Sequence, residues 1–123
     1  MFVDATGRST MLNVTGEVIL YEATVNLGAA VGTLTLQMNA TVKQTGTGTG
    51  TFKLYLGSGT PGSTVGSTLR VTFTTISPVE EEQTAVSAPF ANPGGVYQLQ
   101  ITGVCTDSAT STTQIRGVTV EAI

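Results

Sequence analysis

Histidine and tryptophan are absent from these 123 residues, and cysteine occurs once. Without histidine no single chain can assemble a Ser–His–Asp triad, a Cys–His dyad or a histidine-bearing zinc set. The lone Cys105 excludes an intrachain disulfide framework. Charge is also scarce, since Asp, Glu, Lys and Arg make up 11% of the chain against roughly 25% in ordinary soluble domains. The five basic residues, Arg8, Lys43, Lys53, Arg70 and Arg116, are scattered, and the net charge is −3. No basic stripe exists to displace counterions from phosphate, so no nucleic-acid partner is expected. Long apolar runs are missing as well: Val18-Ile19-Leu20-Tyr21 stops at Glu22, far short of a membrane span, and no membrane partner is expected. The N-terminus has no basic segment followed by an apolar one, so a secretory leader is not expected.

What fills the chain instead is 24 Thr, 15 Gly and 14 Val, residues that build strands and turns. Alternation is strongest over Gly32–Lys43, where Leu34, Leu36, Met38, Ala40 and Val42 share one face. A glycine run at 46–50 follows, then Phe52, Leu54 and Leu56 alternate with Thr51, Lys53 and Tyr55, which reads as an antiparallel hairpin. Leu69, Val71 and Phe73 form the apolar face of a third strand, with Arg70, Thr72 and Thr74 opposite. The run 77–82 breaks the pattern, 85–90 reads as a weak strand, and Asn92-Pro93-Gly94-Gly95 reads as a turn. Tyr97, Leu99, Ile101, Gly103 and Cys105 alternate with Gln98, Gln100, Thr102 and Val104. In the last strand, 113–122, the apolar phase jumps at Gly117, which predicts a bulge. The expected fold is all-β, an antiparallel sandwich of six to eight strands, jelly-roll-like with an immunoglobulin-like alternative. Residues 1–14 are an N-terminal arm or edge strand, and 15–123 a single domain.

Strand 17–27 stands apart, because Ile19, Tyr21, Ala23, Val25 and Leu27 fill one face while Val18 and Leu20 fill the other. A central strand covered by a loop would explain this, and so would a subunit interface. Phe2, Val3, Met11, Leu12, Val18 and Leu20 are therefore the candidate interface residues. Glu80-Glu81-Glu82 lacks the spacing of a calcium loop and reads as a solvated turn or edge, so no metal is expected. The glycine run lacks the Gly-Lys-Ser/Thr end of a phosphate loop. The sequons at Asn13 and Asn39 are read as accidental, because Ser or Thr occupies 32 of 123 positions. Cys105 lies on the core phase and reads as buried. Asp4, Glu17, Glu22, Asp107 and Glu121 are the acids that hydrolysis would need to bring together, and with no Trp and three Tyr to stack a sugar the chain is not read as an enzyme. No catalytic residue and no cofactor is assigned.

With its Thr/Gly-rich segment Gln44–Thr51, its alternating strand Thr33–Lys43, its Gly-Ser-Thr loop at 57–68 and its few charges, the chain resembles small phage virion proteins. These are β-sandwich modules that decorate capsids or sit at the tips of tails and fibres. The resemblance implies placement on the virion surface and assembly with copies of itself, commonly as trimers, and with a major capsid protein. The expected function is a non-enzymatic capsid decoration, or cement, protein. The alternative is a receptor- or glycan-binding module of a tail or fibre, using Thr60, Pro61, Ser63, Asn92 and Tyr97 in loops 57–68 and 91–95.

Overall fold

Alternating apolar and hydroxyl-bearing residues place one side of each strand in a shared core, and the chain forms ten strands among the residues described. The computed structural model describes residues 2–14, 16–58, 60–107 and 109–123, and the side chains of Phe2, Ala5 and Thr6 lie outside that description. The strands are β1 (Phe2–Leu12), β2 (Val18–Asn26), β3 (Thr33–Leu34), β4 (Leu36–Thr45), β5 (Gly50–Gly57), β6 (Ser67–Thr75), β7 (Glu81–Val86), β8 (Phe90–Ala91), β9 (Val96–Cys105) and β10 (Thr112–Ala122). One sheet runs β1-β10-β4-β7, the other β2-β9-β5-β6, and β3 pairs with β8 as a short ribbon. All neighbouring strands are antiparallel. Numbering only the eight long strands in chain order, the sheets read 1-8-3-6 and 2-7-4-5, which is the jelly roll. The first strand pairs with the last rather than with the second, which sets aside the immunoglobulin-like alternative.

The core lies between the two sheets. Leu36, Met38 and Val42 of β4, Phe52 and Leu54 of β5, Leu99, Ile101 and Cys105 of β9, and Ile115, Val118 and Val120 of β10 are all buried. Phe52 and Phe73 meet with ring centroids 5.6 Å apart in a tilted arrangement, a geometry favoured by aromatic quadrupoles. Gln44 is buried at the rim of this core, where its amide lies 3.9 Å from the Cys105 sulfur and donates to the carbonyl of Thr47. The phase jump of the last strand is a bulge, with the register shifting between Arg116 and Thr119 and Gly117 at φ +61°.

Four sequence expectations are corrected. The glycine run at 46–50 does not close a hairpin: β4 and β5 belong to different sheets, and the loop carries the chain across the core. Strands that face each other across a sandwich show the same alternation as strands paired side by side, so the pattern alone cannot separate the two cases. Gly48 makes the crossing feasible, since at φ +96° a Cβ there would sit 1.9 Å from the Thr106 carbonyl oxygen. In β2 a bulge at Leu20 resets the phase, because Ile19 pairs with Thr102 and Tyr21 with Ile101. Leu20 thereby packs against the core, and β2 is an edge strand, not a central one. A second bulge at Arg70 turns Leu69 outward opposite Tyr55 instead of into the core. The weak strand expected at 85–90 begins earlier, at Glu81, and ends at Val86 before Pro89.

Candidate functional site

The outer face of the β2-β9-β5-β6 sheet carries a hydrogen-bonded polar floor. The registers align Ile19, Thr102, Lys53 and Thr72 in one row across the four strands, and Glu22, Gln100, Tyr55 and Leu69 in the next. Glu17, just before β2, leans over the first row. Its Oε1 accepts from Lys53 Nζ at 2.9 Å, and its Oε2 accepts from the Tyr55 hydroxyl and from Thr102 Oγ1, each at 2.9 Å. Burial pushes the Glu17 carboxyl up, but the hydrogen bonds from Lys53, Thr102 and Tyr55 outweigh it and leave the group below its ordinary value. The same bond, with the attraction of the carboxylate, raises the Lys53 ammonium.

The second row anchors a strap formed by the β5–β6 loop. Glu22 Oε2 accepts from the Gly62 amide at 2.8 Å and from Gln100 Nε2 at 2.7 Å. Gln100 Nε2 also donates to the Ser63 carbonyl at 2.7 Å, and Gln100 Oε1 accepts from Ser67 Oγ at 3.1 Å. The bonds from Gln100 and then from the Gly62 amide lower the Glu22 carboxyl. Gln100 and Thr102 are fully buried under this cover although they lie on the outer face. Between strap and carboxylate runs a groove of about 530 Å³ lined by Glu17, Ile19, Gly62, Ser63, Thr64 and Thr102.

The two ends of the sandwich differ in charge. The loops 27–35, 58–66 and 87–95 gather at one end and contain no ionisable side chain. Loops 27–35 and 87–95 are tied to each other by the β3–β8 ribbon and by Asn92 Nδ2, which donates to the carbonyls of Leu27 and Ala29. Val31 and Val65 are 75% and 81% exposed there, with Val86, Val96 and Ile123 also exposed. The guanidinium of Arg70 lies 3.7 Å over the Phe90 ring of that ribbon, and its Nε has no hydrogen-bond partner among the described residues. The opposite end holds Glu17, Glu80 and Asp107 in its loops and exposes Leu12, Val18, Ile76 and Val79. On the outer face of the β1-β10-β4-β7 sheet, Glu80 pairs with both Arg8 and Arg116, the latter at 2.7 Å. The Arg116 hydrogen bond leads in driving the Glu80 carboxyl down to about 2.

The structure scatters the sequence-predicted residues. Met11 is packed into its own core, which removes it from the interface set, and Val3 and Leu20 are half-buried against that core. Val18 and Leu12 remain exposed, at 40% and 58%. The Phe2 side chain lies outside the described residues. Thr60 and Pro61 are exposed on the strap and Ser63 lines the groove, but the Asn92 amide is consumed in tying its loop to 27–35 and Tyr97 packs on the core opposite Val25. Those two are withdrawn as ligand contacts. Of the five acids, Glu17 and Glu22 share a sheet face. The carboxyls with a resolved shift, at Glu17, Glu22, Glu80 and Glu81, are all lowered, whereas a general acid needs a raised one. Glu17 was noted in the sequence only as an acid, because its partners at 53, 55 and 102 are distant in the chain.

Such a pair of four-stranded sheets defines the class as a jelly-roll β-sandwich. No protein-family model and no curated protein sequence matches the chain. Solved structures do. The VP2 subviral particle of infectious bursal disease virus superposes at TM-score 0.64 with 10% identity, over 100% of this chain and 32% of the VP2 chain. The T=1 particles derived from that virus match at 0.63 with 10% identity, over 100% of this chain and 31% of theirs. A CBM4 structure matches at 0.57 with 11% identity, over 95% of this chain and 72% of that one. The chain thus spans about a third of the VP2 chains it matches. At 10–11% identity the likeness to VP2 and to the CBM4 structure is one of fold.

Proposed function

We propose that this chain is a non-enzymatic structural protein of a virion, a capsid decoration or cement protein that works by contact at the particle surface. The observation that carries the reading is the charge-free end. Three loops with no ionisable side chain present Val31 and Val65 to solvent, and Val96 at the start of β9 is exposed beside them, so covering them sacrifices no charge hydration and removes apolar surface from water. The guanidinium of Arg70 at the margin of this end, unpaired among the described residues, fits an acidic side chain of the partner, a major capsid protein. Leu12 and Val18 at the opposite end serve contacts between copies, with a trimer as the working stoichiometry. The fold shared with VP2 supports the reading, because that architecture serves in a viral particle.

Imaging of the assembled particle, with light scattering of the free protein, tests this. The expected result is density for the chain on the shell, seated by loops 27–35, 58–66 and 87–95, and loss of that density in Val31→Asp/Val65→Asp. A free monomer that never joins a particle, or unchanged occupancy of the double variant, refutes it.

A further inference from the structure

We propose that the groove between Glu17 and the 62–64 strap is a saccharide site, taking a short neutral oligosaccharide whose hydroxyls pair with Glu17 and Thr64 and whose C–H face lies on Ile19. This goes beyond the assembly reading and does not rest on it.

Three features of the groove point to that ligand class. The first is rigidity: the strap is held by the Gly62 amide and Ser63 carbonyl to Glu22 and Gln100, so the wall exists before any ligand arrives. A volume of about 530 Å³ lies within the ordinary range of small-ligand sites. The second is the mixture of hydrogen-bonding groups. An ionised carboxylate offers about four lone-pair positions, and Lys53, Tyr55 and Thr102 each supply one proton to Glu17, which leaves an acceptor for a ligand. The Thr64 hydroxyl across the groove both donates and accepts, and Ser63 Oγ already accepts from the Val65 amide. A sugar hydroxyl donates and accepts at once and matches such a pairing. The third is charge and apolarity together. Lys53 neutralises Glu17, Glu22 lies beside them, and the surroundings are hydroxyls, so an anionic ligand meets a net repulsion. Ile19 breaks the polar lining with an apolar surface of the kind that the axial hydrogens of a pyranose ring cover. The lowered Glu17 and raised Lys53 keep the site in one charge state across neutral and mildly acidic pH.

Amide chemical-shift titration of the full chain with cellohexaose, maltohexaose and an oligogalacturonate tests the assignment. A neutral oligomer is expected to shift Glu17, Ile19, 62–64 and Thr102, and the oligogalacturonate to shift none of them. Glu17→Gln is expected to weaken binding at least tenfold, and so is Ile19→Asp, which removes the apolar surface while keeping every donor to Glu17 and decides the matter if Glu17→Gln fails to fold. No shift with either neutral oligomer, shifts confined to 91–95, preferential binding of the anionic oligomer, or full affinity in Ile19→Asp overturns the proposal. None of these outcomes bears on particle attachment, so the two readings stand or fall separately.

Discussion

Glu80 shows how much a single side chain can hold in a chain this poor in charge. It stands in the loop just before β7, yet it reaches Arg116 on β10 and Arg8 on β1, tying that loop to two strands across the outer face of the sheet. Its folded value of about 2 lies below the ordinary 4.5, so the stabilisation it brings is present above pH 4.5 and is lost as pH falls from there towards 2. Glu17, Glu22 and Glu81 are lowered as well and act in the same direction. The urea midpoint should therefore drop between pH 5 and pH 2.5, and Glu80→Gln should flatten that drop. Because these side chains are partly exposed, 1 M salt should narrow the difference between the two proteins. A wild-type midpoint independent of pH over that interval would contradict the assignment.

At the scale of strands, each of the four sheet edges carries a feature that discourages further pairing. β1 has a register shift between Ala5 and Arg8, β2 bulges at Leu20 and β6 at Arg70. β7 instead turns Glu81 inward on the face of Ala85, where it accepts from Thr75 Oγ1 at 2.6 Å and from Gln83 Nε2 at 2.8 Å. Bulges and inward charges are how sheet proteins keep edges from recruiting other chains. Glu81→Val should leave the monomer folded but raise its aggregation on concentration, measured by light scattering, while Glu82→Val on the solvent face should aggregate less. Equal aggregation of both would remove the edge-guard role. Only one bulge could be read beforehand: Gly117 is marked by a glycine at the parity jump, whereas Leu20 and Arg70 are ordinary residues at their bulges. Strands β4, β5 and β9 were legible because their core faces alternate without interruption. The groove was not, since the burial of Gln100 and Thr102 comes from cover over the sheet's outer face that alternation does not encode.

For the whole molecule the decisive connection is between the first and last strands. β1 was expected as an arm or an edge strand, and it pairs with β10 from Phe2–Glu121 to Leu12–Thr112 while burying Met11 beside Gly103. Removing residues 2–12 should therefore abolish cooperative thermal unfolding, because it opens the core and bares the ladder of β10. A truncated chain with an unchanged melting temperature would make β1 an appendage. The class of fold and the scarcity of reactive groups were legible from composition and periodicity. The assignment of strands to sheets was not, because pairing partners such as β1 and β10 are separated by nearly the full chain.

That same ladder sets how the molecule answers a pulling force. Phe2 and Glu121 lie across from each other at one end of an antiparallel pair, so tension between the two termini peels rungs one after another, as a zipper opens. Tension between the Leu12 end of β1 and the C-terminal end of β10 loads every rung together in shear. Mechanical strength is thus directional, weak between the termini and strong along the strands.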